Sequence, residues 1–162
     1  MLRQTLSLVL AAAAAAFAAC SSPPPVAETL RIDEVVTGWY DAGVTEDGRN
    51  KIVPSISLRV TNTGPDSVGP VQLNLIFRRV GDPEEWSTAL VRVAGSDGLQ
   101  PGATSQPVVV RAPQGYTGTQ PRAQLLQNSL FVDAKVEVFG KIGASTWTRL
   151  GEYPIERQLL TQ

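Results

Sequence analysis

Three stretches of the chain alternate apolar and polar residues with a period of two. Residues 55–60 set Ile56, Leu58 and Val60 against Ser55, Ser57 and Arg59. Residues 71–77 send Val71, Leu73, Leu75 and Phe77 to one side, and residues 132–138 place Val132, Ala134, Val136 and Val138 opposite Asp133, Lys135 and Glu137. Successive side chains of a strand point to opposite faces, so this pattern specifies strands with one face on a core and the other in water. The same reading extends to 30–39, 86–93, 105–112 and 146–156, about seven strands in all. Turn residues separate them in "NTGPDSVGP" (62–70), "GDPEE" (81–85), "GSDGLQPG" (95–102) and "GKIGAS" (140–145). Pro154 lacks an N–H, so the last strand is expected at a sheet edge or a bulge. Segment 113–129 departs from the pattern. Pro121 near a first helical position, followed by Ala123, Gln124, Leu125 and Leu126, predicts a short helix within 120–128.

The fold class that follows is all-β, a single antiparallel sandwich over 30–160, with no strand–helix–strand alternation. Two stretches carry a resemblance. "LRVTNTGPDSVGPVQLNLIF" (58–77) resembles the strand, Asn-Thr-Gly turn, strand unit of bacterial immunoglobulin-like modules, and "GLQPGATSQPVVV" (98–110) resembles their Leu-x-Pro-Gly turn. The resemblance implies an immunoglobulin-like or fibronectin-III-like sandwich; a transthyretin-like sandwich, such as that of type VI secretion lipoproteins, is the alternative.

The N-terminus reads as an export signal. Arg3 precedes an apolar stretch from Leu6 to Ala19, broken only by Ser7, and small residues follow. Its 14 residues fall short of the ~20 that span a bilayer as a helix. The only cysteine, Cys20, comes next, so no internal disulfide can form. Phe17-Ala18-Ala19-Cys20 resembles the lipobox of bacterial lipoproteins. That resemblance implies cleavage after residue 19, a diacylglyceryl (palmitate-type) lipid on the Cys20 sulfur and attachment to a membrane. Each buried methylene of such a lipid adds about 0.8 kcal/mol, so two or three chains hold durably. Residues 20–29 then form a lipidated, Pro-rich tether. Ser21 and Ser22, with no aspartate behind the cysteine, resemble the sorting pattern of proteobacterial lipoproteins, and that resemblance implies the outer membrane, facing the periplasm, rather than the inner one.

Composition excludes several classes of chemistry. Without residues 1–19 the chain keeps all 15 acids and 13 of its 14 Lys and Arg, a slight negative excess with no basic cluster beyond Arg78–Arg79. Nucleic acid is therefore not an expected partner. With no histidine, a Ser-His-Asp site, a histidine base and histidine metal ligation are all ruled out. "VAGSDGL" (93–99) is not a Gly-x-Ser-x-Gly elbow. Asp41, Glu46 and Asp47, with Asp33 and Glu34 upstream, could offer oxygen to a hard cation, but their spacing does not follow a calcium loop. No catalytic residue, metal ligand or cofactor is expected.

Aromatic residues are the remaining candidates. Trp39 and Trp147 are expected in the core, where sandwiches bury tryptophan. Trp86, among the charges of "DPEEWST", and Tyr116, between glycines, are the candidate contact residues for a partner or ligand. The function expected is a non-enzymatic, membrane-anchored module that contacts another cell-envelope protein. The alternative is a module that binds cell-wall glycan through Trp86 and Tyr116.

Overall fold

The computed structural model describes residues 24–160, so Cys20 and the signal lie outside the described residues. Nine strands build two sheets: β1 (Leu30–Val44), β2 (Asn50–Asn62), β3 (Val71–Arg79), β4 (Ser87–Ala94), β5 (Val108–Arg111), β6 (Tyr116–Gly118), β7 (Ala134–Ile142), β8 (Thr148–Pro154) and β9 (Leu159–Leu160). Two helical turns, α1 (Val26–Thr29) and α2 (Arg122–Leu125), complete it. One sheet runs β5-β2-β1-β9, with β6 also paired to β2; the other runs β4-β3-β7-β8. All pairings are antiparallel except β1 with β9.

The alternation predicted from the sequence fills the space between the sheets. Ile56, Leu58 and Val60 face Leu73, Leu75, Phe77, Val136 and Val138, and each is fully buried. Burying each contributes about 1.5–3 kcal/mol, which makes this layer the main source of stability. Pro154 lies in β8, an edge strand, where its missing N–H costs no ladder bond. The expected helix is present as the single turn α2.

Several expectations needed correction. The two strands beyond seven, β6 and β9, are three and two residues long, too short for a periodic signal. Val132 does not face the core but is 40% exposed, because β7 begins at Ala134. Trp147 is also outside the core, 38% exposed, since it stands in the turn before β8 rather than in that strand. Val26–Thr29, read as tether, form a helical turn because Val26 finds core contacts and Thr29 Oγ1 donates to Pro25 O at 3.0 Å.

β1 holds the main irregularity. Between Asp33↔Arg59 and Val36↔Ser57 it carries one residue more than β2, and Glu34 adopts a φ of 51° there. A β-bulge shifts the inward set by one residue. Leu30 and Ile32 point inward before it, Thr37 and Trp39 after it, and no simple alternation runs through the strand.

A buried asparagine pins the end where β1 begins. Asn62 Nδ2 donates to Asp66 O (2.8 Å) and Leu99 O (2.9 Å), and its Oδ1 accepts from Gly64 N (2.9 Å). One amide thus closes the Asn-Thr-Gly turn and ties it to the 95–102 connection. Asn62→Ala is expected to cost about 1–3 kcal/mol in urea unfolding. Asn62→Asp should cost more, since it sets a carboxylate oxygen against two carbonyls; equal costs would mean that the Nδ2 bonds contribute nothing.

On the outer face of the second sheet, Glu137 accepts from Arg78 Nε at 2.9 Å and pairs with Arg149 at 3.2 Å. Arg149 and Lys135 also hold Glu152, at 2.7 and 3.1 Å. The hydrogen bond from Arg78 holds the Glu137 carboxyl below its ordinary value of 4.5. A carboxyl depressed in the folded state contributes stability above its unfolded value and loses it as pH falls through the folded one. The unfolding midpoint should therefore drop on acidification below about pH 4.5, and Glu137→Gln should flatten part of that drop. Superimposable pH profiles for the two proteins would contradict this.

Candidate interaction surface

The end of the sandwich remote from α1 is closed by aromatic rings. Trp39, turned inward by the bulge, is fully buried and meets three other rings there. Its ring lies 4.7 Å from Phe131, edge to face, 5.6 Å from Tyr116 and 6.4 Å from Trp86. Tyr116 in turn lies 5.2 Å from Trp86 and 4.7 Å from Phe131. Tilted and edge-on pairs at these distances each add roughly 0.5–1.5 kcal/mol beyond area burial. That packing outweighs a cost: among the described residues the Trp39 Nε1–H has no hydrogen-bond partner.

Local backbone requirements bring Tyr116 to this place. A Cβ on Gly115 would lie 2.0 Å from Ile52 O, so only glycine lets β6 lie against β2 there. At Gly118 a Cβ would meet Leu125 Cδ2 at 2.4 Å, the end of a flexible side chain that can move aside. The Tyr116 hydroxyl donates to Val132 O at 3.1 Å, and burial pushes the phenol above its ordinary value of 10. Phe131 is covered on its other side by the Arg157 guanidinium, 5.0 Å away. Arg157 is held by Asp133 at 2.6 Å.

Around the rings the surface is apolar. Leu130 is 84% exposed and Val80 53%, alongside Val132. Val80 N donates to Asp133 O at 2.7 Å, which joins the β3–β4 turn to the segment before β7. Trp86, in the same turn, and Tyr116 complete a continuous rim. Beside it an open depression of about 430 Å³ is lined by Ala123, Leu126, Gln127, Arg157, Gln158 and Leu159. Glu84 and Glu85 flank Trp86 and, among the described residues, form no ion pair, whereas Arg79 is spent on Asp82 at 2.7 Å. The rim is thus apolar with an acidic border.

The structure brings together the two aromatic residues singled out in the sequence, Trp86 and Tyr116, and leaves both half-buried. Trp39 joins them from below, while Trp147 lies at the opposite end. Residues 39–44 belong to β1, so the acidic connection read from the sequence shrinks to the 45–49 turn, and the acids of 39–50 are each paired or solvated. Asp41 pairs with Arg122 at 2.5 Å, Asp47 with Thr45 Oγ1 and Arg49 at 2.5 and 2.6 Å, and Glu46 is exposed. Among the described residues no three Asp, Glu or Cys side chains converge as metal ligands. Val132 was expected in the core, and Phe131, Leu130 and Val80 were not singled out by the sequence. Its one available signal was the apolar triplet 130–132, which no single strand can bury on one face.

No family model matches the sequence, and no curated protein does. Similar solved structures include one described as the X-ray structure of Northeast Structural Genomics Consortium target SoR45. It shares 14% identity, over 81% of this chain and 89% of that one, with a TM-score of 0.41.

The three tryptophans should separate by solvent access. In iodide quenching, Trp147→Phe is expected to remove the readily quenched, red-shifted component, leaving Trp86 as a partly quenched emitter and Trp39 as a shielded one. Unchanged quenching after Trp147→Phe would show that Trp147 is not the accessible ring.

Proposed function

We propose that the protein is a lipid-anchored cell-envelope module that binds another envelope protein and performs no catalysis. The observation that carries the reading is the placement of the rim. The chain enters at α1, where Thr63 N donates to Thr29 O, and Trp39 lies further along β1 at the other end. Nine residues of strand at about 3.3 Å each separate Leu30 from Trp39 by roughly 30 Å. A domain tethered through Cys20 would hold its apolar rim away from its own membrane, open to a partner. Tethering also raises the effective concentration toward other membrane-bound proteins, so weak contacts suffice.

The chemistry of the rim supports a protein partner. Trp86 and Tyr116 give large, rigid contact area, Leu130 and Val80 are anchors that no element covers among the described residues, and the acidic border suits a partially basic surface. Trp86 and Tyr116 pack against each other and against Trp39, which leaves less free ring face than a sugar platform uses. The strand order supports the finer fold reading too. The chain passes between sheets from β2 to β3, from β4 to β5 and from β6 to β7, as in immunoglobulin-like and fibronectin-III-like sandwiches, and returns once more from β8 to the short β9.

The test compares the native chain with Cys20→Ala in its own cells, by outer-membrane fractionation and crosslinking. The native chain is expected in the outer-membrane fraction with one dominant crosslinked envelope protein, and both should be lost in Cys20→Ala. Equal membrane recovery of the variant would overturn the anchoring. Saturable retention on isolated cell wall, with no protein captured, would replace the partner reading with glycan binding.

A further inference from the structure

The end of the sandwich where the chain enters differs in chemistry from the rim. Its connections, 63–70, 95–107 and 143–147, hold only Asp66 and Asp97 as ionisable side chains. The opposite end carries Glu46, Asp47, Arg49, Asp82, Glu84 and Glu85 in its two tight turns. At the entry end Trp147 is 38% exposed, and Lys141 Nζ lies 4.8 Å over its ring. α1 packs against β7 and β8, and Trp147 immediately precedes β8, so this indole and the chain entry belong to one corner. Gly143 N, in the same turn, donates to Pro70 O at 2.8 Å and fixes the turn on that end.

Chain length limits how far this corner can stand from a lipid on Cys20. Because Val26 is docked in the core, only residues 21–25 intervene. At up to about 3.6 Å per residue they reach about 18 Å, less than the length of the sandwich. An indole with an ammonium beside it is the pairing that favours the boundary between acyl chains and headgroups: the ring is amphipathic, and a lysine keeps its stem on apolar surface while its charge meets phosphate. We infer that Trp147 and Lys141 seat this corner on the headgroup layer of the bilayer, which turns the aromatic rim outward. The inference rests on the anchoring at Cys20 proposed above. Glu28, Asp66 and Asp97 on the same end keep the attraction from being a polybasic one, so the indole supplies most of the contact.

The test uses the lipidated full chain in vesicles of phosphatidylethanolamine and phosphatidylglycerol that carry a headgroup nitroxide. A bimane label is placed through Trp147→Cys or, as the far control, through Leu130→Cys, the native Cys20 sulfur being blocked by lipid. Bimane at 147 is expected to be quenched at least threefold more than bimane at 130, and Lys141→Glu should reduce that difference. Because Trp147→Cys removes the indole itself, Thr146→Cys beside an intact Trp147 should be quenched more strongly still. Vesicle-bound protein with equal quenching at 146 and 130 overturns the seating and leaves the anchoring intact. Failure of the chain to float with vesicles overturns the anchoring, and the inference falls with it.

Discussion

The arrangement depends on one buried ring. Trp39 fills the end of the space between two sheets, fully buried among three other rings. Phe131, Tyr116 and Trp86 come from three separate connections, and what they share is contact with that indole. Loss of the ring would loosen Tyr116 and Phe131 together, since β6 is only three residues long, whereas Trp86 N still donates to Phe77 O at 2.9 Å beside the β3–β4 ladder.

Trp39 reaches this position through a backbone irregularity. The extra residue at Glu34 shifts the inward register of β1, so that both Leu30 and Trp39 face the core. Glu34 takes a left-handed φ, unusual for a residue with a side chain, and its carboxylate is bound by Arg59 Nε at 2.7 Å across the sheet. That pair is solvent-exposed and adds little stability by itself. The packing of Trp39 on one side of the bulge and of Leu30 on the other is what holds it.

The molecule is polar end to end. One pole gathers the chain entry, weakly charged turns and an exposed indole beside a lysine. The other gathers aromatic packing, exposed aliphatic residues and the carboxylates of Glu84 and Glu85, which form no ion pair among the described residues. Antiparallel pairing generates this division: each hairpin returns the chain, so connections collect at two ends while strands fill the middle. A fold of this class serves many tasks, and it is the difference between its ends that bears on what this one does.

The sequence by itself determined the strands of the core, the turns between most of them, the edge position of Pro154 and the absence of histidine-based chemistry. These follow from residue type and period two, which act locally. It also marked Trp86 and Tyr116 as unlike the rest, through the charges and glycines around them. Only the tertiary structure decided that Trp39 joins them and Trp147 does not, that Val132 faces water, and that β6 and β9 exist at all. A bulge shifts register without a compositional mark, and strands of two or three residues are held by the neighbour they pair with. Which apolar residues of a loop are covered depends on segments that meet only after the two sheets close on each other.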